Sequence, residues 1–232
     1  VSYKKSDSRK SFECRVEKLR VSSRIASVGV NNIPREVRDL SFHAAILETS
    51  AALEEYVKNF LEDYIFILKV RGVSIGDLPR EIRTFFLIKK TLPHYENLAF
   101  SRDEKRALEK LNIDSEAFYL LDPGALVDQS FKVDILLDKK KYPSPKNWNV
   151  LFYRLGVKDI FSATEKRLRR DTKSLLQSFN DIRTALAHGE PPGLTYNDVF
   201  RQISNMQSLV GAIDRVLCTH ICKYTGKDTW PA

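Results

Sequence analysis

A chain of 232 residues, 43% of them hydrophobic, is long enough to bury a proper core, and one large domain is the expected arrangement. Its 38 Lys and Arg against 30 Asp and Glu leave a formal charge of +8, which favours a polyanionic partner. Nucleic acid ranks ahead of membrane, because no segment is both strongly basic and strongly apolar. Three cysteines without framework spacing exclude a disulfide scaffold and suit a reducing, cytoplasmic compartment, and no stretch approaches the roughly 20 apolar residues of a membrane span.

Residues 1–10 are polar and basic and read as a flexible tail, leaving 11–226 as the domain. Phe12, Val16, Leu19 and Ala26 then mark a first helix of moderate periodicity, ended by Gly29, the turn-like Asn31-Asn32 and Pro34. From Ser41 the signal sharpens. Phe42, Ile46, Leu53, Val57, Phe60, Tyr64 and Ile67 form one apolar face and predict a central helix over about 41–71, closed by Gly72. His43 on that helix reads as a core or boundary histidine. Asp77 ahead of Leu78-Pro79 opens a helix over about 79–92, carried by Ile82, Phe85, Phe86 and Ile88, with Pro93 ending it and His94 on a surface turn.

Ser101 with Glu104 makes a capping box for a short helix through Leu111, the start of a helical insert over about 101–141. Phe118, Leu120, Leu121, Leu126, Phe131, Ile135 and Leu136 permit further short helices there, and Lys139-Lys140-Lys141 reads as a solvated loop. Ser144-Pro145 is an N-cap with proline at the first helical position. Trp148, Leu151, Phe152 and Leu155 fill the helix over about 145–155 that follows, and Gly156 closes it.

Ser162 with Glu165 gives another capping box and predicts one long helix over about 163–188, with Leu168, Leu175, Phe179, Ile182 and Leu186 along a single stripe. Gly189, Pro191 and Pro192 stop it at His188. Lys166, Arg167, Arg169, Arg170 and Lys173 crowd its first turns. They form either an exposed charged face or a phosphate track leading toward His188. In the last turns Arg183 and His188 stand five residues apart, about 140° around the axis, so both can flank a cleft closed by a second surface. Thr184 shares a face with His188, and the negative end of the helix favours the imidazolium form of that histidine. A final helix over about 196–225 begins with Thr195 and Asp198 and carries Val199, Ile203, Met206, Val210, Ile213 and Leu217. It should pack antiparallel to the helix before it. Cys218 and Cys222 share a helix face, but no fourth ligand has suitable spacing, so they read as two core or boundary thiols beside an incidental His220 rather than a zinc site. There is no Walker loop, no dinucleotide fingerprint and no paired-carboxylate cluster, and no metal or other cofactor is expected.

The words FNDIRTALAHGEPPGLTYNDVFRQI, HAAILETSAALEEYVKNFLEDY and NWNVLFYRLGV, spread over most of Ser41 to Tyr224, resemble the HEPN domains (higher eukaryotes and prokaryotes nucleotide-binding). The likeness is to bacterial ribonuclease or toxin members with a long helical insert, and it implies an all-α antiparallel bundle. Ribonuclease members carry Arg-x4-6-His between their last two long helices. Carried onto this chain, the motif falls on Arg183 and His188 as catalytic residues, with Thr184 and Glu190 as supporting groups, while the density of basic residues noted above makes Arg167, Arg169, Arg170 and Lys173 the RNA-binding candidates. Thr184 departs from the Asn, Asp or His usual after the arginine in active members. Glu190 stands where some family toxins carry a tyrosine that is inactivated by nucleotide transfer. The resemblance implies metal-independent cleavage of RNA in a homodimer whose two motifs form a composite site, in a toxin or antiviral effector that can answer to an antitoxin or regulatory protein. His188 would move a proton to or from the attacking 2'-hydroxyl or the leaving oxygen, leaving a 2',3'-cyclic phosphate, while Arg183 neutralises the phosphate. Two alternatives stay open: a non-catalytic HEPN module that binds RNA or protein, kept alive by Thr184, and a purely structural bundle.

Overall fold

The computed structural model describes residues 3–27, 33–100, 103–113, 119–128, 130–140, 142–189 and 193–225. All regular elements among them are helical. In chain order they are α1 (Asp7–Ser27), α2 (Arg35–Val70), α3 (Arg80–Phe100), α4 (Glu104–Ile113), α5 (Val133–Leu137), α6 (Pro145–Arg154), α7 (Ile160–Leu168), α8 (Thr172–Ala187) and α9 (Tyr196–Thr225), with a 3-10 turn at Ile75–Asp77.

The expected face of α2 is the centre of the core. Phe42, Ile46, Leu53, Val57, Phe60, Tyr64 and Ile67 are all buried, against α1, α5, α8 and α9. At roughly 1.5–3 kcal/mol for each large apolar side chain removed from water, such a face holds a helix in place without further help. α9 brings the second stripe, with Val199, Ile203, Met206, Val210, Ile213 and Leu217 each at 0% exposure. Its start is the expected capping box. Asp198 Oδ2 accepts from the Thr195 N–H at 3.0 Å, and the Asp198 N–H donates to Thr195 Oγ1 at 3.2 Å. Ser144 caps α6 by accepting the Asn147 N–H at 3.2 Å, and Gly156 closes that helix at φ +87°, a conformation a side chain would strain.

Several expectations need correction. Residues 3–10 are no free tail: the Tyr3 and Ser6 hydroxyls both donate to the fully buried Asp214 on α9, and Ser8 donates to Asp63 on α2. α2 begins before Ser41, at Arg35. α3 runs through Pro93 to Phe100, so His94 lies on a helix and not at a turn. A proline inside a helix removes one backbone bond and bends the axis, and here it does not end the element. Asp77 lies at the end of the 3-10 turn, where its N–H and carboxylate answer Ser74, and Arg80 opens α3. α4 is capped by Asp103, which accepts the Arg106 N–H at 3.1 Å; Ser101 lies outside the described residues, as do Gly29, Asn31, Asn32, Phe118 and Lys141.

The expected insert is built into the body. Its segment at residues 123–127 clasps the chain after α2: the Ile75 N–H donates to the Ala125 carbonyl at 2.7 Å and the Val127 N–H to the Val73 carbonyl at 3.0 Å. Gly76 permits this approach, since a Cβ there would meet the Pro123 carbonyl oxygen at 2.9 Å. Phe131 stacks at 4.3 Å from Phe86, and Leu136 and Leu137 of α5 are buried. Arg154, only 8% exposed, ties α6 to this part by donating to the Leu136 and Leu137 carbonyls at the end of α5, while its guanidinium lies 4.2 Å from the Phe85 ring centre. A cation at a helix C-terminus meets the negative end of the macrodipole.

Candidate active site at the end of α8

The long helix expected over 163–188 is two helices. α7 starts at Ile160, with Asp159 as its cap: the carboxylate accepts the Phe161 N–H at 3.0 Å and the Ser162 N–H at 3.1 Å, and Ser162 is an inner residue that donates back to it. This replaces the Ser162–Glu165 box. α7 stops at Arg169, which adopts a left-handed conformation with φ +52°, and Asp171 caps α8 by accepting the Ser174 N–H at 2.9 Å. Across the break, buried Thr164 and Thr172 bond hydroxyl to hydroxyl at 2.8 Å, so the two helices meet at a fixed polar joint. Leu176 and Phe179 sink fully into the core, and Leu175, Ile182 and Leu186 pack half-buried on it.

That packing fixes the exposed end of α8. Arg183 is half-buried, with its guanidinium 5.2 Å from the centre of the Tyr142 ring. Such a cation-over-ring contact contributes about 0.5–2 kcal/mol and helps hold the group in place. Tyr142 is itself clamped. Its carbonyl accepts Asn147 Nδ2 at 3.0 Å, and the next carbonyl, of Pro143, accepts Asn180 Nδ2 at 2.8 Å. Asn180 is 4% exposed and lies one turn before Arg183 on the same face, so α8 holds both the arginine and the segment it stacks on. Arg183 Nε is buried, and among the described residues no carboxylate reaches ion-pair distance of this arginine. Asn180 and Tyr142 went unnoticed in the sequence; the i, i+3 spacing of Asn180 to Arg183 was the only trace of them.

His188 is the C-cap residue, exposed, with its backbone N–H on the Thr184 carbonyl at 3.1 Å. Gly189 turns the chain away at φ +81°. His188 and Arg183 therefore share one helix end, separated by about 7.5 Å of axial rise. The Thr184 side chain is exposed, and Glu190 lies outside the described residues. What this end offers chemically is an exposed imidazole and a guanidinium held over the Tyr142 ring, which no carboxylate among the described residues meets.

The RNA-binding candidates do not form one line. Arg167 lines a recess with α1 and α9; Arg169 and Arg170 border an open hollow with Glu165 and Asp171; Lys173 lines a third recess, between α6, α7 and α8, with Lys146 and Asn149. The helix break divides them. His220, expected to be incidental, holds the end of α6: its ring Nε2 bonds the Leu155 carbonyl at 2.7 Å, and burial pushes its pKa below the ordinary value. Burial likewise pushes the Cys218 thiol up to about 12, which keeps it protonated and a poor ligand or nucleophile. No helix among the described residues is long and apolar enough to cross a membrane.

No curated protein sequence and no solved structure matches the chain. The family model described as RiboL-PSP-HEPN matches residues 21–219, which takes in the last turns of α1, all of α2 to α8 and most of α9. With that match over most of its length, an all-α fold, and an Arg-x4-His pair at the end of the helix before the last, the chain belongs to the RiboL-PSP-HEPN family of the HEPN superfamily.

Proposed function

We propose that this HEPN protein is a metal-independent endoribonuclease acting at the end of α8. The observation that carries the reading is the state of Arg183: stacked on Tyr142, free of any carboxylate among the described residues, on the same helix end as an exposed histidine. An arginine kept for structure is normally neutralised by an acid, whereas one kept for a phosphate must leave its donors unspent. Arg183 binds the scissile phosphate and stabilises the charge that builds on its non-bridging oxygens. His188 takes the proton of the neighbouring 2'-hydroxyl, or gives one to the departing 5'-oxygen, and the products are a 2',3'-cyclic phosphate and a 5'-hydroxyl.

One imidazole cannot serve as acid and base in the same step. A homodimer closed by α8 and α9 supplies the second from its partner's motif, with Thr184 and Glu190 as candidate supporting groups. Arg167, Arg169, Arg170 and Lys173 contribute phosphate contacts. The cytoplasmic setting, and a role as a toxin or antiviral effector held in check by an antitoxin or regulatory protein, are the biological form of the same proposal.

The test is incubation of cellular RNA with the protein and with His188→Ala in the presence of EDTA, followed by mapping of the cut ends. Cleavage that survives the chelator, leaves cyclic phosphates and disappears in the variant is the expected result. RNA bound but uncut by both proteins would put a non-catalytic binding module in its place, a reading that the exposed Thr184 in the position after the arginine favours.

A further inference from the structure

Away from the end of α8, a recess of about 440 Å³ opens between α1, α7 and α9, lined by Arg9, Arg167 and Arg215 together with Gln207, Ser208 and Gly211. Like charges gathered in one hollow repel, so their arrangement is informative. Arg9 is held from behind: its Nε donates to Glu13 at 2.7 Å and its Nη1 to the Tyr3 hydroxyl at 2.6 Å. Its Nη2 bonds to nothing among the described residues and lies against the bare backbone of α9, where a Cβ on Gly211 would come within 2.9 Å of it. Arg215 rests its guanidinium 4.6 Å from the Tyr3 ring centre, and neither Arg215 nor Arg167 has a carboxylate within ion-pair distance among the described residues. Of the nearby acids, one is held on the far side of Arg9 and the other is buried. Glu13 pairs with Lys5 and Arg9, and Asp214 is buried under the Ser6 and Tyr3 hydroxyls.

We infer that this recess is a phosphate-binding site for the backbone of a single-stranded nucleic acid, separate from the Arg183–His188 pair. Arg167 and Arg215, which no carboxylate among the described residues meets, and the free Nη2 of the Glu13-paired Arg9 converge there as guanidinium donors that match the oxygens of a phosphate. The basic surface also continues on both sides. Arg20, bonded to Gln207 at 3.5 Å, paired with Glu17 at 3.3 Å and lying 4.5 Å from the exposed Phe200 ring, prolongs it along α1 and α9, and Arg169 and Arg170 follow past the end of α7 in a separate hollow that also holds Glu165 and Asp171. A discrete small phosphate would use the recess alone; a polynucleotide uses the recess and its flanks, with Phe200 available to a base. Gly211 is the position that lets Arg9 reach in, and Arg215 and Arg167 are the two walls. This inference rests on RNA being the partner and not on the cleavage chemistry.

The test is the salt dependence of binding of a fluorescein-labelled 2'-O-methyl RNA 12-mer, which lacks the 2'-hydroxyl nucleophile and so cannot be cut. Gly211→Ala pushes the Arg9 guanidinium aside; Arg215→Glu and Arg167→Ala, on the surface, change the walls without touching the core, and melting curves check that each protein is folded. Each variant should weaken binding about tenfold and lower the slope of log K against log salt by about 0.7 for each phosphate that is no longer neutralised. Affinity should stay flat from about pH 6 to 9, since guanidinium does not titrate there. Slopes identical to the parent in folded variants overturn the site while leaving RNA as the partner; a parent protein that binds no 12-mer counts against RNA itself. If the variants lose only competition by inorganic phosphate, the recess takes a small anion and the polynucleotide assignment is wrong.

Discussion

Arg183 shows how much of a site one residue carries and how little of it the residue's own spacing reveals. The pair Arg183 and His188 is legible in the sequence because it closes a periodic stripe before Gly189. What holds Arg183 is not: Tyr142 stands forty-one positions earlier, in a connection with no periodicity, and Asn180 looks like any polar residue on a helix. The contact of the guanidinium with the Tyr142 ring decides what a substitution does. In Arg183→Lys the charge survives, but the ammonium offers one point where the guanidinium offers a fork, and the planar group over the ring is lost. Cleavage should fall about 100-fold, by the scale of losing one well-aimed donor to a developing oxyanion, while the melting temperature stays within a degree or two. RNA cleavage assays with thermal melts on both proteins check this. Full activity in the lysine variant would mean that Arg183 contributes charge and no geometry.

Among the elements, the periodic and locally capped ones were readable: α2, α6 and α9 each combine a continuous apolar stripe with clear punctuation such as Ser144-Pro145 or the Thr195–Asp198 box. The break between α7 and α8 was not. Leu168 and Leu175 stay seven residues apart across it, so the stripe runs on, and Arg169-Arg170-Asp171 contains neither glycine nor proline; the stop is made by an arginine forced to positive φ and by a hydroxyl pair, Thr164 and Thr172, that only the fold brings together. The joint between α6 and α9 was hidden in the same way. There His220 Nε2 donates to the Leu155 carbonyl with its ring edge-on to Tyr224 at 5.4 Å, and the charges that act on it are Lys223 and Glu81. Burial holds the folded imidazole's pKa below its ordinary value of 6.5, so between the two values the unfolded chain binds the proton that the folded chain refuses. The contribution is therefore complete above about pH 6.5 and is lost as the pH falls below it. Urea unfolding at about pH 7.5 and pH 5.5 should show a larger drop in midpoint for the parent than for His220→Gln, whose amide can still donate to Leu155 but cannot titrate. Equal drops would place the acid sensitivity in other groups.

At the scale of the whole molecule, the bundle follows from its two long stripes, but the way its ends are tied together does not. Asp214 interrupts the polar-to-apolar rhythm of α9 as a charge in the core, and by composition alone it reads as a misplaced residue. Its explanation lies 208 and 211 positions away, where Ser6 and Tyr3 each donate a hydroxyl to it and the Ser6 N–H adds a third bond at 3.3 Å. A segment that sequence reading takes for a loose tail is thereby made part of the fold, and it brings Arg9 to the recess beside Gly211. Asp214→Ala leaves two hydroxyls and a backbone N–H without their acceptor and should cost roughly 3 kcal/mol. Tyr3→Phe removes one donor to Asp214 and the acceptor of Arg9 Nη1, and should cost about 1–2 kcal/mol. The two losses share one bond, so in the double variant they should not fully add: once Asp214 is gone, Tyr3→Phe should cost clearly less than in the parent, only the bond from Arg9 to the hydroxyl being left to lose. Denaturant unfolding of the four proteins measures this coupling directly. Full additivity would mean that the amino-terminal segment is held by its helix packing alone, and that the buried carboxylate serves some other partner.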